Sequence, residues 1–343
     1  MTQDGSRLVI GLMSGTSADG VDAALVRTDG QKTIDPLDAL TSPYSAELRE
    51  QLLHAAKHDI PLSELMSLEA RITDHHGVAC EALLNQAKDR FTSELSLIGF
   101  HGHTIRHDAV NGHTWQLGNA AQLAAHLKTP VVHDFRRLDM AHGGQGAPLA
   151  PLYHQCLFQS AEKPCVVLNL GGVGNITWLG EHGEIIAGDT GPGCGLLDTW
   201  MQRYMGQPFD RDGKTALAGE IHQPSVALAM THDFFRRPFP KSADRFEFDS
   251  IYPSGLSAAD GAATLCAITV QAVVDAVARI APATSSCWVC GGGAKHPLMV
   301  RLLRENFGHA EPIEALGWQS DMLEAQCFAW LAARRIRGLP TSL

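Results

Sequence analysis

Glycines and small polar residues gather at the ends of apolar runs in three places, and each cluster is spaced to hold an anion. Arg7 to Val26 reads RLVIGLMSGTSADGVDAALV. Two apolar runs of strand length, Arg7 to Leu12 and Val21 to Val26, flank a small, polar, glycine-rich tip, which is the pattern of a hairpin. At that tip Gly15 and Gly20 can aim peptide N–H groups into one concavity, and Ser14, Thr16 and Ser17 add hydroxyl donors. Asp19 and Asp22 would repel a bare phosphate, so a phosphate that brings a divalent cation, as ATP does, suits the tip better. A tight hairpin whose polar tip faces water accounts for the same residues. Cys165 to Gly180, CVVLNLGGVGNITWLG, repeats the plan with Gly171, Gly172, Gly174 and Asn175 at the turn. Trp288 to Gly293, WVCGGG, ends a short apolar run ahead of a helical pattern from Pro297 to Phe307. Between these lies IIAGDTGPGCG, Ile185 to Gly195, in which an apolar strand ends at Asp189 and Gly191, Pro192 and Gly193 force a turn into a helix, Leu196 to Met205. A carboxylate fixed at a sheet edge suits a general base, since ordinary basicity suffices once water and electrophile are aligned. An Asp that caps the following helix fits the same pattern.

The elements that must position these groups follow from apolar spacing. Ser45 to Lys57 and Ser63 to Arg90 show helical periodicity, with Ser45 and Ser63 as N-caps. Asp74, His75, His76 and Gly77 are expected to bend or break the second helix. Adjacent helical residues point about 100° apart, so His75 and His76 read as partly exposed surface and not as a shared metal site. Ser96 to Phe100 is a buried-strand pattern running into HGHTIRH, and polar residues at a strand end are where open α/β sheets place their sites. His101 and His103 fall on one face of such a strand. With His107 they could bind zinc, but no clear Cys or acidic ligand completes the set, so ligand contact is the better reading. Asn119 to Leu127 reads as a helix and Pro130 to His133 as a strand. GGQGAPLA, Gly143 to Ala150, is expected to open a helix through Phe158 with Pro148 and Pro151 in its first turn. Gly206 to Asp249 reads as long connections. DGKT within it is no Walker loop, because Pro208 stands where glycine is needed, and no GxGxxG occurs. Ala258 to Ile280 is a long buried helix, Cys287 and Cys290 are core thiols, and Gln319 to Arg337 is a helix with Glu324 in its early turns.

Two phosphate hairpins followed by a GGG adenosine turn resemble the actin and hexokinase-like ATPase superfamily. Within it, GLMSGTSADGVD, FHGHTIRH, HDFRRLDMAHGGQGAPL, LNLGGVGNIT, GDTGPG, CGGGA and LEAQCFAWLA run in order from Gly11 to Ala332 and resemble the anhydro-N-acetylmuramic acid kinases. The resemblance implies a two-lobed α/β fold, each lobe a mixed sheet with flanking helices, around a deep interdomain cleft. The lobes would be residues 1–133 plus 331–343 and residues 134–330. ATP would be bound by Gly15, Thr16, Ser17, Ala18, Asp19, Gly20, Val21 and Asp22, by Gly171, Gly172, Gly174 and Asn175, and by Gly291, Gly292 and Gly293. Asp19 and Asp22 would reach Mg²⁺ through water. Asp189 would be the base, and Glu324 would act in catalysis by touching the substrate, although a first-turn Glu also stabilises a helix dipole. His101, Gly102, Thr104, Arg137 and Gln145 would contact an amino sugar; Arg136 or Arg137 could pair with its carboxylate, or either could form a surface salt bridge. The family commonly has Gln at His103 and Asn at Cys194. The implied activity opens the 1,6-anhydro ring of anhydro-N-acetylmuramic acid with water and phosphorylates O6, in the cytosol, as a homodimer, in cell-wall recycling. An ordinary hexose-type kinase and a non-enzymatic nucleotide-gated clamp are the alternatives.

Composition agrees. A chain of 343 residues is long for one core, so two domains are expected. With 27 basic against 37 acidic residues the net charge is −10, which disfavours nucleic acid and anionic membranes as partners. Phosphate affinity must then be local. The N-terminus does not read as a secretory signal, no run reaches 18 uninterrupted apolar residues, and eight scattered cysteines read as reduced thiols.

Overall fold

The near-continuous apolar runs of the first hairpin are buried on both faces of its sheet, with helices packed against them. The computed structural model describes residues 5–88, 90, 95–109, 111–243, 247–280 and 286–343. Positions 1–4 of the N-terminal reading, 89 of the second expected helix and 244–246 of the Gly206 to Asp249 stretch lie outside the described residues. The chain divides into two units, residues 1–157 with 322–343, and residues 158–321. By packing, residues 134–157 and 322–330 group with the first, so the division falls later in the chain than the expected passage after 133.

In the first unit β1 (Arg7–Ser14), β2 (Gly20–Thr28) and β3 (Ile34–Pro43) form an antiparallel meander. Next come α1 (Ala46–Lys57) and α2 (Leu62–Ala87), then β4 (Leu97–Asp108), β5 (His113–Leu117), α3 (Ala120–Leu127), β6 (Val131–His133), α4 (Phe135–Ala141) and α5 (Pro151–Leu157). The sheet runs β3-β2-β1-β4-β5, with β4 parallel to β1 and to β6. Ser45 caps α1, its hydroxyl accepting from the Leu48 N–H, as its position suggests. The N-cap of α2 is Pro61, not Ser63, and the helix runs unbroken past Gly77. His76 is fully buried, contrary to the surface reading, because it continues the inward stripe Leu68, Ile72, Cys80, Leu83.

The second unit repeats the scheme. β7 (Cys165–Leu170), β8 (Val173–Leu179) and β9 (Ile185–Pro192) make a meander; α6 (Gly195–Met205), α7 (Lys214–Leu217), α8 (Gln223–Ala229) and α9 (Ala258–Ile280) follow, then β10 (Ser286–Cys290), α10 (Pro297–Phe307) and β11 (Ala310–Pro312). The order is β11-β10-β7-β8-β9, with β10 parallel to β7 and β11. Both sheets are therefore a meander with a parallel strand beside its first member, β4 or β10; in the first sheet β5 then pairs antiparallel with β4. α9 is the one helix among the described residues long and apolar enough to cross a membrane, and its apolar stretch is 72% buried inside this unit. Cys287 and Cys290 are buried free thiols, as expected for core cysteines.

The chain ends on α11 (Leu323–Ile336), which packs in the first unit on β1, β2 and β4. Two glycines make room for it: Gly11 and Gly99 are register partners, and a Cβ on them would stand 1.8 Å from the Ala325 carbonyl oxygen and 2.1 Å from that of Phe328. No rotamer escapes a backbone clash, so Gly11→Ala is expected to destabilise by about 3 kcal/mol or more. Thermal denaturation checks it: a midpoint within 2 °C of wild type (roughly 0.5–1 kcal/mol) would mean that α11 is not seated there.

Candidate functional site

At the tip of the first hairpin the Ala18 N–H bonds the Gly15 carbonyl at 3.0 Å, with Ala18 in the left-handed region at φ 54°. Thr16, Ser17 and Asp19 are exposed, whereas Ala18, Gly20 and Val21 are buried, Gly20 lying too close to the Ser42 carbonyl for any side chain. Asp19 pairs with Arg49 at 3.2 Å, and Asp22 accepts the Thr41 hydroxyl at 2.6 Å. Ser14 does not serve as the exposed donor its sequence position suggests. It is buried, accepts from Tyr44 Oη at 2.9 Å, and shares a 2.9 Å hydrogen bond with His103 Nδ1. Burial pushes His103 down to about 4, so at neutral pH the ring is uncharged, and the Ser14 hydroxyl is engaged inward by His103 and Tyr44.

His101 and His103 lie on opposite faces, not one. Gly102 takes φ 76°, and the β1–β4 register shifts between Leu12 and Ser14, which inserts an extra residue. His103 therefore turns toward Ser14 and Tyr44 on the α2 side, while His101 packs 4.6 Å from the Phe328 ring of α11. The strand itself runs on to Asp108 instead of ending at Phe100. Arg136 Nε donates to His101 Nε2 at 3.0 Å and its Nη1 to the Gly146 carbonyl at 2.7 Å. Among the described residues no group of three or more His, Cys, Asp or Glu converges on a metal position.

A pocket in this unit is lined by His101, Gly102 and Arg137, together with Glu69, Trp115, Gln116, His133 and Asp134. Arg137 reaches it held by Asp134 at 3.4 Å and the Thr114 carbonyl at 3.4 Å. Of the two arginines, then, Arg136 is tied to His101 and the loop, and Arg137 lines the pocket. Thr104 stands one bond behind the lining, accepting from Gln116 Nε2 at 3.4 Å. Gln145 lies outside the lining, in a loop that the Asp139 carboxylate folds by accepting from the Gly146 N–H at 2.6 Å. The helix expected from Gly143 begins only at Pro151. Glu324 is exposed in the first turn of α11. Trp115 and Gln116 are hard to foresee because they enter through β5, which pairs with β4; only the alternating HTWQL pattern hints at that strand.

In the second unit the three glycine segments come together. The Gly171 carbonyl accepts the Cys194 N–H at 2.6 Å, and the Gly172 carbonyl accepts from Gly193 and Gly195, each at 3.1 Å. Gly291, at φ 76°, lies against this hairpin: a Cβ there would stand 2.3 Å from Asn169 Oδ1. A Cβ on Gly172 would meet nothing within 4 Å, which leaves the tip open to a ligand. Asp189 is not at a strand end. It sits within β9, directly opposite Asn175, and the turn into α6 comes after Pro192. Helix capping is excluded, because the N-cap of α6 is Cys194. The Asp189 N–H donates to the Lys241 carbonyl at 2.8 Å, and its Oδ2 accepts from the Ala243 N–H at 2.8 Å. Lys241 is a buried cation that the sequence signals in one way only, as a lysine following FFRRPFP.

The sequence model of the anhydro-N-acetylmuramic acid kinase family matches residues 7–343. The anhydro-N-acetylmuramic acid kinase of Acidiphilium cryptum (strain JF-5) is 47% identical over 342 residues, covering 97% of this chain and 93% of that protein. That of Rhizorhabdus wittichii is 44% identical over 339 residues, covering 96% and 93%. Among solved structures, component A of (R)-2-hydroxyglutaryl-CoA dehydratase from Acidaminococcus fermentans aligns at TM-score 0.52 and 10% identity over 96% of this chain and 99% of that one. The activator of 2-hydroxyisocaproyl-CoA dehydratase from Clostridium difficile, solved with bound ADPNP, gives 0.51 at 10% over 96% of each. At that identity the likeness speaks for the fold alone, the α/β actin and hexokinase-like ATPase class.

Proposed function

The chain belongs to the anhydro-N-acetylmuramic acid kinase family, and on that premise we propose that it opens the 1,6-anhydro ring of anhydro-N-acetylmuramic acid with water and phosphorylates O6 from ATP. Membership makes it a phosphotransferase with an alcohol acceptor in cell-wall recycling. The reading places it in the cytosol, where ATP is made. The observation that carries it is the cross-strand pairing of Asp189 with Asn175, which sets a carboxylate beside a glycine hairpin on one sheet.

Asp189 takes a proton from water as that oxygen bonds C1. The C1–O6 bond breaks, its electron pair passes to O6, and O6 attacks the γ-phosphorus of ATP, whose bond to the bridging oxygen breaks to release ADP. The departing alkoxide is thus the nucleophile, so no separate acid is needed for it, although C1 gains positive character as in glycoside cleavage. Backbone N–H groups at the hairpin tips, with Thr16 and Ser17, would meet the phosphates, a task of positioning and charge. Mg²⁺ would shield charge on the β and γ phosphates. The ion would be held by phosphate oxygens and water, with Asp19 and Asp22 reaching it through water; Asp19 is paired with Arg49 and Asp22 accepts the Thr41 hydroxyl. Arg137 is assigned to the sugar's carboxylate and Trp115 to its ring face.

Turnover of a panel of anhydro-sugars and hexoses with ATP and Mg²⁺ in oxygen-18 water tests this. Label at the anomeric carbon above solvent exchange is expected, with turnover falling for the anhydro-sugar that lacks the acidic side arm. Phosphorylation without label would make it an ordinary sugar kinase, and no sugar-stimulated ATP turnover would leave the nucleotide-gated clamp.

A further inference from the structure

Lys241 is a buried ammonium that the mechanism above does not use. Only 6% of the residue is exposed. Its Nζ donates to the Phe234 carbonyl at 3.0 Å and stands 4.3 Å from the centre of the Phe234 ring and 5.3 Å from that of Phe239. An ammonium between two aromatic faces with one carbonyl acceptor is held by cation–π attraction where a neutral chain would find none. The backbone on either side of this anchor holds Asp189: the Lys241 carbonyl accepts the Asp189 N–H, and the Ala243 N–H donates to Asp189 Oδ2, both at 2.8 Å. Gly188 permits the approach, for a Cβ there would meet the Phe239 ring at 2.8 Å and the Lys241 carbonyl at 3.0 Å.

We propose that Lys241 is a positioning residue for the reaction: its caged ammonium fixes residues 241–243 along β9, so that the Ala243 N–H orients the Asp189 carboxylate toward the water it deprotonates. This rests on Asp189 as the base. Among the described residues the charged groups around Lys241 are Arg279, which donates to the Phe235 carbonyl, Arg237, which is paired with Glu247 at 2.6 Å, and Asp189 itself. Burial, then Arg279 and Arg237, push the Lys241 ammonium down to about 8, while Asp189 opposes the shift.

The test replaces Lys241 in the full chain. Lys241→Met keeps the bulk and removes the charge; kcat is expected to fall about thirtyfold with the KM for ATP and sugar within about twofold, and the acid limb of the kcat profile to move up by about half a unit or more. Lys241→Arg keeps a charge that never titrates in this range, so it should retain kcat within about fivefold and lose the alkaline limb expected near pH 8. A Lys241→Met enzyme with kcat within twofold of wild type overturns the proposal, provided that Asp189→Asn is inactive; an active Asp189→Asn enzyme would instead remove the base. Should Lys241→Met not fold, an alkaline limb unmoved in Lys241→Arg overturns the proposal on its own.

Discussion

Replacing Asp189 with Asn is expected to lower kcat about a thousandfold, roughly 4 kcal/mol in activation free energy, and to leave both KM values within about threefold. The amide is nearly the shape of the carboxylate and can still accept the Ala243 N–H, so the segment beside β9 stays in place. What disappears is the proton acceptor. Because water attack, ring opening and phosphoryl transfer are coupled, phosphorylated product and label incorporation should fall together. Steady-state assay with the anhydro-sugar decides it: activity within threefold of wild type, a loss below about 1 kcal/mol, would show that another group takes the proton. The capping alternative predicts a different result, a melting loss with kcat intact; the place of Asp189 inside β9, with Cys194 at the N-cap of α6, already argues against it.

Both meanders are legible in the chain because a glycine-rich tip between two apolar runs is compatible with little besides a hairpin, and α1, α9 and α10 follow from periodicity and caps. Where sequence and structure part, the causes are local and physical. Taken as an adjacent pair, His75 and His76 suggest surface, yet position 76 lies four residues from Ile72 and from Cys80 on the apolar stripe, which puts that ring in the core. A strict two-residue strand period puts His101 and His103 on one face; the left-handed Gly102 breaks it, and a glycine between histidines does not announce a bulge. Gly191 and Pro192 usually stop a strand, which would leave Asp189 at its end, yet β9 has β8 on one side and the Lys241 carbonyl bonding the Asp189 N–H, so pairing carries on to Pro192.

Site residues split by how local they are. Gly171, Gly172, Gly174, Asn175 and Asp189 share one meander, so motif spacing alone is enough to group them. The pocket around Arg137 draws on α2, β4, β5, β6 and α4, five elements whose assembly no local pattern specifies, and so Glu69, Trp115 and His133 carry no signal of it in the sequence. Ser14 misleads for a related reason: its partners Tyr44 and His103 are 30 and 89 residues away.

Mild acid should open the first unit while the second stays folded. Of the five buried histidines among the described residues, His76, His101, His103 and His154 belong to the first unit, and only His296 to the second. Burial holds His76 down to about 3 and His103 and His154 to about 4; burial, then the neighbouring Arg136, puts His101 well below its usual value. His296 is lowered by burial too, but the Asp210 carboxylate 3.4 Å away opposes the shift. A histidine whose folded value lies below its unfolded 6.5 binds more protons when unfolded, so its contribution to stability is complete above that value and is lost as pH falls from about 6.5 toward 4. At pH 5 a neutral buried ring held at about 4 or below costs about 2 kcal/mol, so His76, His103 and His154 together approach about 6 and His101 acts in the same direction, a large part of the margin of a folded domain. Hydrogen exchange resolved by peptide at pH 7.5 and pH 5 checks this. Protection of α2, β4 and α5 should fall at pH 5 while that of β7, β8 and α9 persists, and His76→Gln should shift the midpoint to lower pH. Loss of both units together, with a midpoint below 4, would show that burial of these four rings does not set acid stability.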